Sequence, residues 1–352
     1  MLFGIDKSEL RNITIESIDF EVLRRSSAVY NTSASDVSLP VKLHNSNRYI
    51  TLDRLFIQDD QLFNTFTLDY KKESTGARSY YTILDLAIKP KRARQHNLIP
   101  MSANKYRQKL IIIREYLIHN YGLYVSFNES RIKKIEVNIT AKMDHSFGSY
   151  KMLFEAIRQE RNLRVYPYFV PFEKGLAYNT YYFYSKVQHL KFYNKAKELH
   201  DSFKIEVDDE LMRLEYTLIG FDKIKSKLGT DSPLDLTDEA IAVFLNESIK
   251  EDVFKPVEKY IDKTDKQLAK KYKQIKKQYK RGFIREFAHY CNAKDTDIFD
   301  MQQVLDIAKR DINKNHNGSR NKKLIDSIMS QSLKNNLDKF AEFKVKFQIV
   351  NQ

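Results

Sequence analysis

Three short segments alternate polar and apolar residues with one shared parity, and this alternation is the strongest constraint in the sequence. Successive side chains of a β-strand point to opposite sides of its sheet, so a period of two fixes which residues share a face. In RIKKIEVNIT (131–140), Ile135, Val137 and Ile139 take one side, and Glu136, Asn138 and Thr140 the other. In LMRLEYTL (211–218), Met212, Leu214, Tyr216 and Leu218 leave Arg213, Glu215 and Thr217 opposite. In VQHLKFYNK (187–195), Leu190 and Phe192 are apolar, so His189, Lys191, Tyr193 and Lys195 fall together. If these strands are neighbours, one face gathers two carboxylates, a phenol, an imidazole, an arginine and lysines. Any half-buried strand alternates, so the pattern by itself also fits a solvated face with a surface tyrosine and an Arg213–Glu215 ion pair.

The flanking sequence supplies the rest of a sheet. Segments 47–52, 61–69 and 79–86 are rich in β-branched and aromatic residues, with polar turn-like stretches between them. Ser102 is placed to cap a helix carrying Leu110, Ile113, Leu117 and Ile118, and Gly122 to end it. A second amphipathic segment covers 150–161, and strands are expected over 180–193 and 211–219. This order predicts an α+β fold: a mainly antiparallel sheet with helices on one face and the other face open. After GTDSP (229–233) the pattern turns helical, over 235–250 and 254–288. The expected domains are therefore 1–229, built on the sheet, and 230–352, helical.

The net charge is +14, from 60 Lys and Arg against 46 Asp and Glu, which makes a polyanion the default partner. A single cysteine, Cys291, excludes a disulfide framework or a Cys-based zinc site within one chain and implies a reducing compartment, so a cytoplasmic location is expected. The N-terminus has no basic region followed by a continuous apolar run, and no stretch approaches a membrane span, so no membrane partner is expected.

The polar face matches the needs of phosphodiester chemistry. A hard divalent ion, Mg²⁺ or Mn²⁺, prefers oxygen donors, which Glu136 and Glu215, with Asn138, can provide. A tyrosine can attack phosphorus and form a covalent intermediate whose reversal reseals the strand. Lys191, Lys195 and Arg213 would offset charge on the phosphoryl oxygens. Tyr193 is the first choice of nucleophile, with Tyr184 and Tyr182 as alternatives.

The segment TYYFYSKVQHLKFYNKAKE (180–198), followed by MRLEYTL (212–218), resembles the replication initiation factors of small Gram-positive rolling-circle plasmids. It is also similar to filamentous-phage gene II/X replication proteins. In those families a strand of the form Y-F-G-S-R-x-S-x-x-x-R-I-Y-N-K-x-x-E precedes R-x-E-x-x-L, and an upstream strand reads R-L-D-L-x-x-D. The resemblance covers residues 45–220 in element order. It implies a degenerate HUH-like nickase fold in which Tyr193 is the nucleophile, Asn194, Lys195 and Glu198 complete its motif, Arg213 and Glu215 form the R-x-E strand, and Glu136 holds the first upstream acidic position. The chain departs from the pattern at Tyr184, where the family has glycine, at Lys186, where it has arginine, and at Thr140, where it has the second acid. No His-x-His occurs, so a metal must rely on carboxylates.

The expected activity is nicking of one strand at a double-stranded origin with a single-stranded or hairpin nick site. It would leave a 3′-OH for a host polymerase and a 5′ end on the enzyme. A host helicase and a second copy of the chain are partners implied by the resemblance. A relaxase of a conjugative element would share this chemistry, and a non-catalytic origin-binding protein is the alternative from another class. DNA-binding residues are expected at Lys186 and His189, along the Lys-rich helix at Lys270, Lys273, Lys277, Lys280 and Arg281, and at Arg320 in a basic loop over 309–323.

Overall fold

The computed structural model describes residues 2–32, 39–58, 62–72, 78–87, 99–160, 168–169, 180–279, 281–293, 304, 307–308, 310–311, 323 and 334–349. Contacts divide the chain into two compact units, and neither follows a single cut near residue 230. The first comprises Met1–Thr140, Tyr182–Lys195 and Arg213–Leu245; the second comprises Ala141–Tyr181, Ala196–Met212 and Asn246–Gln352.

The first unit holds the sheet. Its strands are β1 (Leu2–Arg11), β2 (Thr14–Ile18), β3 (Val29–Thr32), β4 (Leu39–Leu43), β5 (Tyr49–Gln58), β6 (Thr65–Lys72), β7 (Arg78–Ala87) and β8 (Leu123–Ser126), with most of β9 (Arg131–Lys142), β11 (Thr180–Tyr184), β12 (Gln188–Asn194) and β13 (Leu211–Ile219). β10 is the two-residue strand Tyr168–Phe169. The strand order runs β11-β12-β13-β9-β1-β7-β6-β5-β4-β2-β8, with β3 beside β5. β1 pairs antiparallel with both β9 and β7, and the β2–β4 pair is parallel. The sheet is thus mostly antiparallel, as the alternation predicts, and the three patterned strands are consecutive neighbours. The segment predicted as one strand over 180–193 is a hairpin: Ser185 donates its N–H to the Gln188 carbonyl at 2.8 Å, and its Oγ accepts from the Val187 and Gln188 amides. Three polar turn contacts at one serine interrupt what periodicity alone reads as continuous.

A short helix, α1 (Phe20–Arg25), precedes the long α2 (Ala103–Tyr121). Ser102 caps α2 by accepting from the Lys105 amide at 3.2 Å, and Gly122 ends it at φ 65°. Leu110, Ile113 and Leu117 are buried at helical spacing, and Tyr106 meets Ser8 of β1 at 2.7 Å. Residues beyond 230 stay with this unit because they bind it: Arg131 pairs with Asp231 at 2.6 Å, Arg107 donates to the Leu236 carbonyl at 2.6 Å, and Asp238 accepts from the Ala103 amide. α5 (Phe221–Leu228) and the start of α6 (Asp238–Ile249) complete it.

The second unit is largely helical, with α3 (Lys151–Glu160), α4 (Lys195–Phe203) apart from its first residue, α7 (Lys255–Gln278), α8 (Phe283–Ala293) and α9 (Lys334–Lys346). Its core includes Leu268, Tyr272, Ile275, Ile284, Phe287 and Cys291. Burial pushes the Cys291 thiol up to about 12, which leaves it inert at neutral pH. The single helix predicted over 254–288 breaks after Gln278: Tyr279 is extended and Gly282 sits at φ 76°. Tyr279 is exposed, whereas Phe283, just past the break, packs against this core. Among the described residues no helix is long and apolar enough to cross a membrane.

Candidate active site

The site lies wholly in the first unit, where β12, β13, β9 and β1 stand side by side. The polar face predicted to be open is buried here: Asn138, Lys195 and Arg213 are each 0% exposed, and Glu136 and Glu215 under 9%. Side chains that any solvated face would hydrate are thus held away from water, so each needs a partner.

Glu136 and Glu215 are joined by a carboxylate that alternation does not find. One oxygen each of Asp6, Glu136 and Glu215 lies within 4.8 Å of the others. Asp6 comes from β1, whose register against β9 steps from Ile5↔Val137 to Lys7↔Glu136. One residue, Asp6, is therefore extra on β1, a β-bulge. The bulge breaks the period of two and puts consecutive residues on the same side: Asp6 joins the carboxylates, and Lys7 reaches Glu136 Oε2 at 3.1 Å. The sequence signal is two consecutive charged residues, Asp6 and Lys7, directly after the apolar run of Leu2 to Ile5.

Cations balance the cluster from its rim. Lys134 Nζ is 3.5 Å from Glu136, and Arg213 Nη1 is 3.9 Å from Asp6. Arg213 Nε donates to Thr140 Oγ1 at 2.8 Å. The position where the resembled family carries its second acid thus anchors the arginine, and Asp6 supplies the third carboxylate from another strand. Burial, together with the neighbouring Glu215, pushes the Asp6 carboxyl up to about 6, against the pull of Arg213, Lys7 and Lys195. Burial alone would lower the Lys7 ammonium, but Glu136 and Glu215 outweigh it and hold it above its ordinary value.

The donor set fits a hard divalent cation. Three buried carboxylates converge, and Asn138, two residues from Glu136 on the same side of β9, has both side-chain polar atoms buried with no hydrogen-bond partner among the described residues. Converging carboxylate oxygens, with an unsatisfied amide on the same side, are oxygen donors of the kind Mg²⁺ or Mn²⁺ takes.

Phenols flank this cluster on the β12 side. Tyr193, 5% exposed, donates its Oη to Glu215 Oε2 at 3.3 Å. Lys191 Nζ lies 4.3 Å from the Tyr193 ring centroid and Lys195 Nζ 5.8 Å. Parity brings Tyr182 of β11 toward the same face, and its Oη is 2.7 Å from His189 Nδ1. Burial pushes the Tyr182 phenol up, with Glu136 and Glu215 adding to it. Burial and then Lys134 lower the His189 imidazole, while the Ser185 backbone and Glu136 act the other way.

The predicted residues Tyr193, Lys191, Lys195, Arg213, Glu136, Glu215, Asn138 and His189 thus share one region of the sheet. Lys186 is exposed in the β11–β12 turn. Lys270, Lys273 and Lys277 are exposed on α7, in the second unit, and Arg281 is exposed just after it. Lys280, Arg320 and most of the segment 309–323 lie outside the described residues; Arg310, Asp311 and Lys323, which are described, are helical rather than in the expected loop.

No family model matches the chain, and no curated protein does. Among solved structures, the chain is similar to a rolling circle replication initiator protein from Geobacillus stearothermophilus, at 13% identity and a TM-score of 0.27, over 64% of this chain and 76% of that one. It is also similar to DynU16, a putative protein in the dynemicin biosynthetic locus, at 12% identity and a TM-score of 0.15, over 71% and 97%. At these scores neither match bears on the chemistry, which rests on the residues themselves.

Proposed function

We propose that this chain initiates rolling-circle replication by nicking and rejoining one DNA strand through Tyr193. The observation that carries this reading is the convergence of Asp6, Glu136 and Glu215 beside a phenol that hydrogen-bonds one of them. A carboxylate trio alone would suit many metal-dependent reactions. A phenol against it, under two lysines, is suited to transesterification.

Asp6, Glu136 and Glu215, with the Asn138 carbonyl, would hold Mg²⁺ or Mn²⁺, which would polarise the scissile phosphate. Tyr193 Oη attacks phosphorus: the Oη–P bond forms, the P–O3′ bond breaks, and the phenol proton passes to Glu215, to which it already points. The departing 3′-oxygen takes up a proton and is left as the 3′-OH that a host polymerase extends. Lys191 and Lys195, both near the Tyr193 ring, offset the charge gathering on the phosphoryl oxygens. Arg213, fixed between Thr140 and Asp6, keeps that carboxylate in place. Running the step backwards reseals the strand. Tyr193 is buried in the DNA-free chain, so binding of a single-stranded or hairpin segment must uncover its Oη. A double-stranded origin, a host helicase and a second copy of the chain belong to the same reading, as does phosphate binding by the lysines of α7.

The test is an SDS-stable protein–DNA adduct formed on a pool of 3′-labelled, random-sequence single-stranded oligonucleotides with Mn²⁺. An adduct that disappears on chelation is expected. Binding without any adduct would reduce the protein to a DNA-binding module, and an adduct indifferent to chelation would remove the metal from the site.

A further inference from the structure

We propose that Tyr182, with His189 as its base, is a second nucleophile of the same site, so that one chain can hold two DNA 5′ ends at once. This inference rests on the nicking reading above and adds to it a second point of covalent attachment. Its basis is a pair of side chains that Tyr193 does not use. Tyr182 Oη lies 2.7 Å from His189 Nδ1, within direct proton-transfer distance. The Ser185 backbone favours the protonated imidazole, against the burial that lowers it. A phenol and a base within hydrogen-bonding reach are therefore present together, the core of an activated hydroxyl.

Position supports the assignment. The hairpin turn at Ser185 brings β11 against β12, so the Tyr182 ring meets His189 edge-on at 5.5 Å. The Tyr184 ring stacks on Tyr182 at 5.5 Å and restricts its motion. Phe183 points the other way, to the buried side with Phe192. Tyr182 is on the strand next to the one that carries Tyr193, and the charges of Glu136 and Glu215 add to the burial that raises its phenol. Unlike Tyr193, it is only partly buried and reachable in the DNA-free chain.

The step balances without another reagent. The Tyr182 phenol proton passes to His189 Nδ1, the Oη–P bond forms and the P–O3′ bond breaks. His189 then returns the proton to the departing 3′-oxygen, and the 5′ end remains on Tyr182. If Tyr193 already carries a strand, the new 3′-OH is free to attack that phosphotyrosine, closing one strand while the other stays bound.

Peptide mapping of the adduct tests this with the same labelled oligonucleotide pool and Mn²⁺. In the unsubstituted protein, nucleotide is expected on the Tyr182 peptide as well as on the Tyr193 peptide. Tyr193→Phe should keep the Tyr182 adduct, and Tyr182→Phe the Tyr193 adduct, whereas the double variant should form none. In the Tyr193→Phe background, His189→Ala should slow adduct formation by about a hundredfold or more, with added imidazole restoring part of the rate. Nucleotide on Tyr193 but never on Tyr182 would overturn the inference and leave the nicking reading intact. An adduct surviving in the double variant would overturn both assignments of tyrosine. No adduct in any form would remove the nicking reading and this one with it.

Discussion

Asp6 occupies a place that favours its protonated form. Its carboxyl titrates near 6 in the fold against an ordinary 3.8, a difference worth roughly 3 kcal/mol. Because the folded value is the higher one, the fold binds the proton more tightly than the unfolded chain does. Stability contributed by Asp6 is therefore full at low pH and falls as pH rises from about 4 through about 6. Asp6→Asn should accordingly make the metal-free protein more stable than the unsubstituted one above pH 6, with the gap closing towards pH 4, as read by urea unfolding in chelator. The same variant should lose Mn²⁺-dependent adduct formation by about a hundredfold or more, since a ligand that is costly without metal is needed with it. Thr140 behaves differently. Thr140→Val leaves Arg213 Nε without its acceptor and should cost about 1–3 kcal/mol in the same unfolding assay while Mn²⁺ binding by calorimetry persists.

At the scale of elements, the site depends on how β1 enters the sheet. Gly4 has φ 151°, and a Cβ there would stand 2.3 Å from the Met101 carbonyl oxygen. That carbonyl accepts from the Ile5 amide at 2.8 Å, beside the bulge that turns Asp6 inward. Gly4→Ala should therefore push β1 off Met101 and weaken Mn²⁺ binding by about tenfold or more, although no ligand is touched, with calorimetry as the check. This dependence also explains what sequence could and could not show. Glu136, Glu215, Tyr193 and their strands were legible because regular strands keep period two, and α2 was legible because Ser102 and Gly122 are cap residues in their cap positions. Asp6 was not legible, because a bulge breaks the only rule by which parity assigns a face. The burial of the polar face was hidden for a related reason: alternation says which residues share a side and nothing about what lies over it. The split of 180–193 into two strands and the break at Tyr279–Gly282 turn on single residues, Ser185 and Gly282, whose effect is local hydrogen bonding and backbone conformation rather than periodicity.

For the whole molecule, a charge of +14 should make DNA binding steeply dependent on salt. The exposed lysines of α7 are the part of that charge easiest to isolate. Replacing Lys270, Lys273 and Lys277 together by alanine should reduce the slope of log affinity against log salt by about 2 on single-stranded DNA, measured by fluorescence anisotropy. An unchanged slope would assign that helix surface to solvent. Assembly carries a further consequence of the β1 bulge. The three carboxylates come from positions 6, 136 and 215, so the first waits for the last across most of the first unit. At about 5–20 residues per second, a chain leaving the ribosome has Asp6 exposed for some ten to forty seconds before Glu215 is made. A nascent or prematurely ended chain therefore lacks the complete carboxylate cluster until synthesis has passed β13, and the lysines of α7 follow only after it.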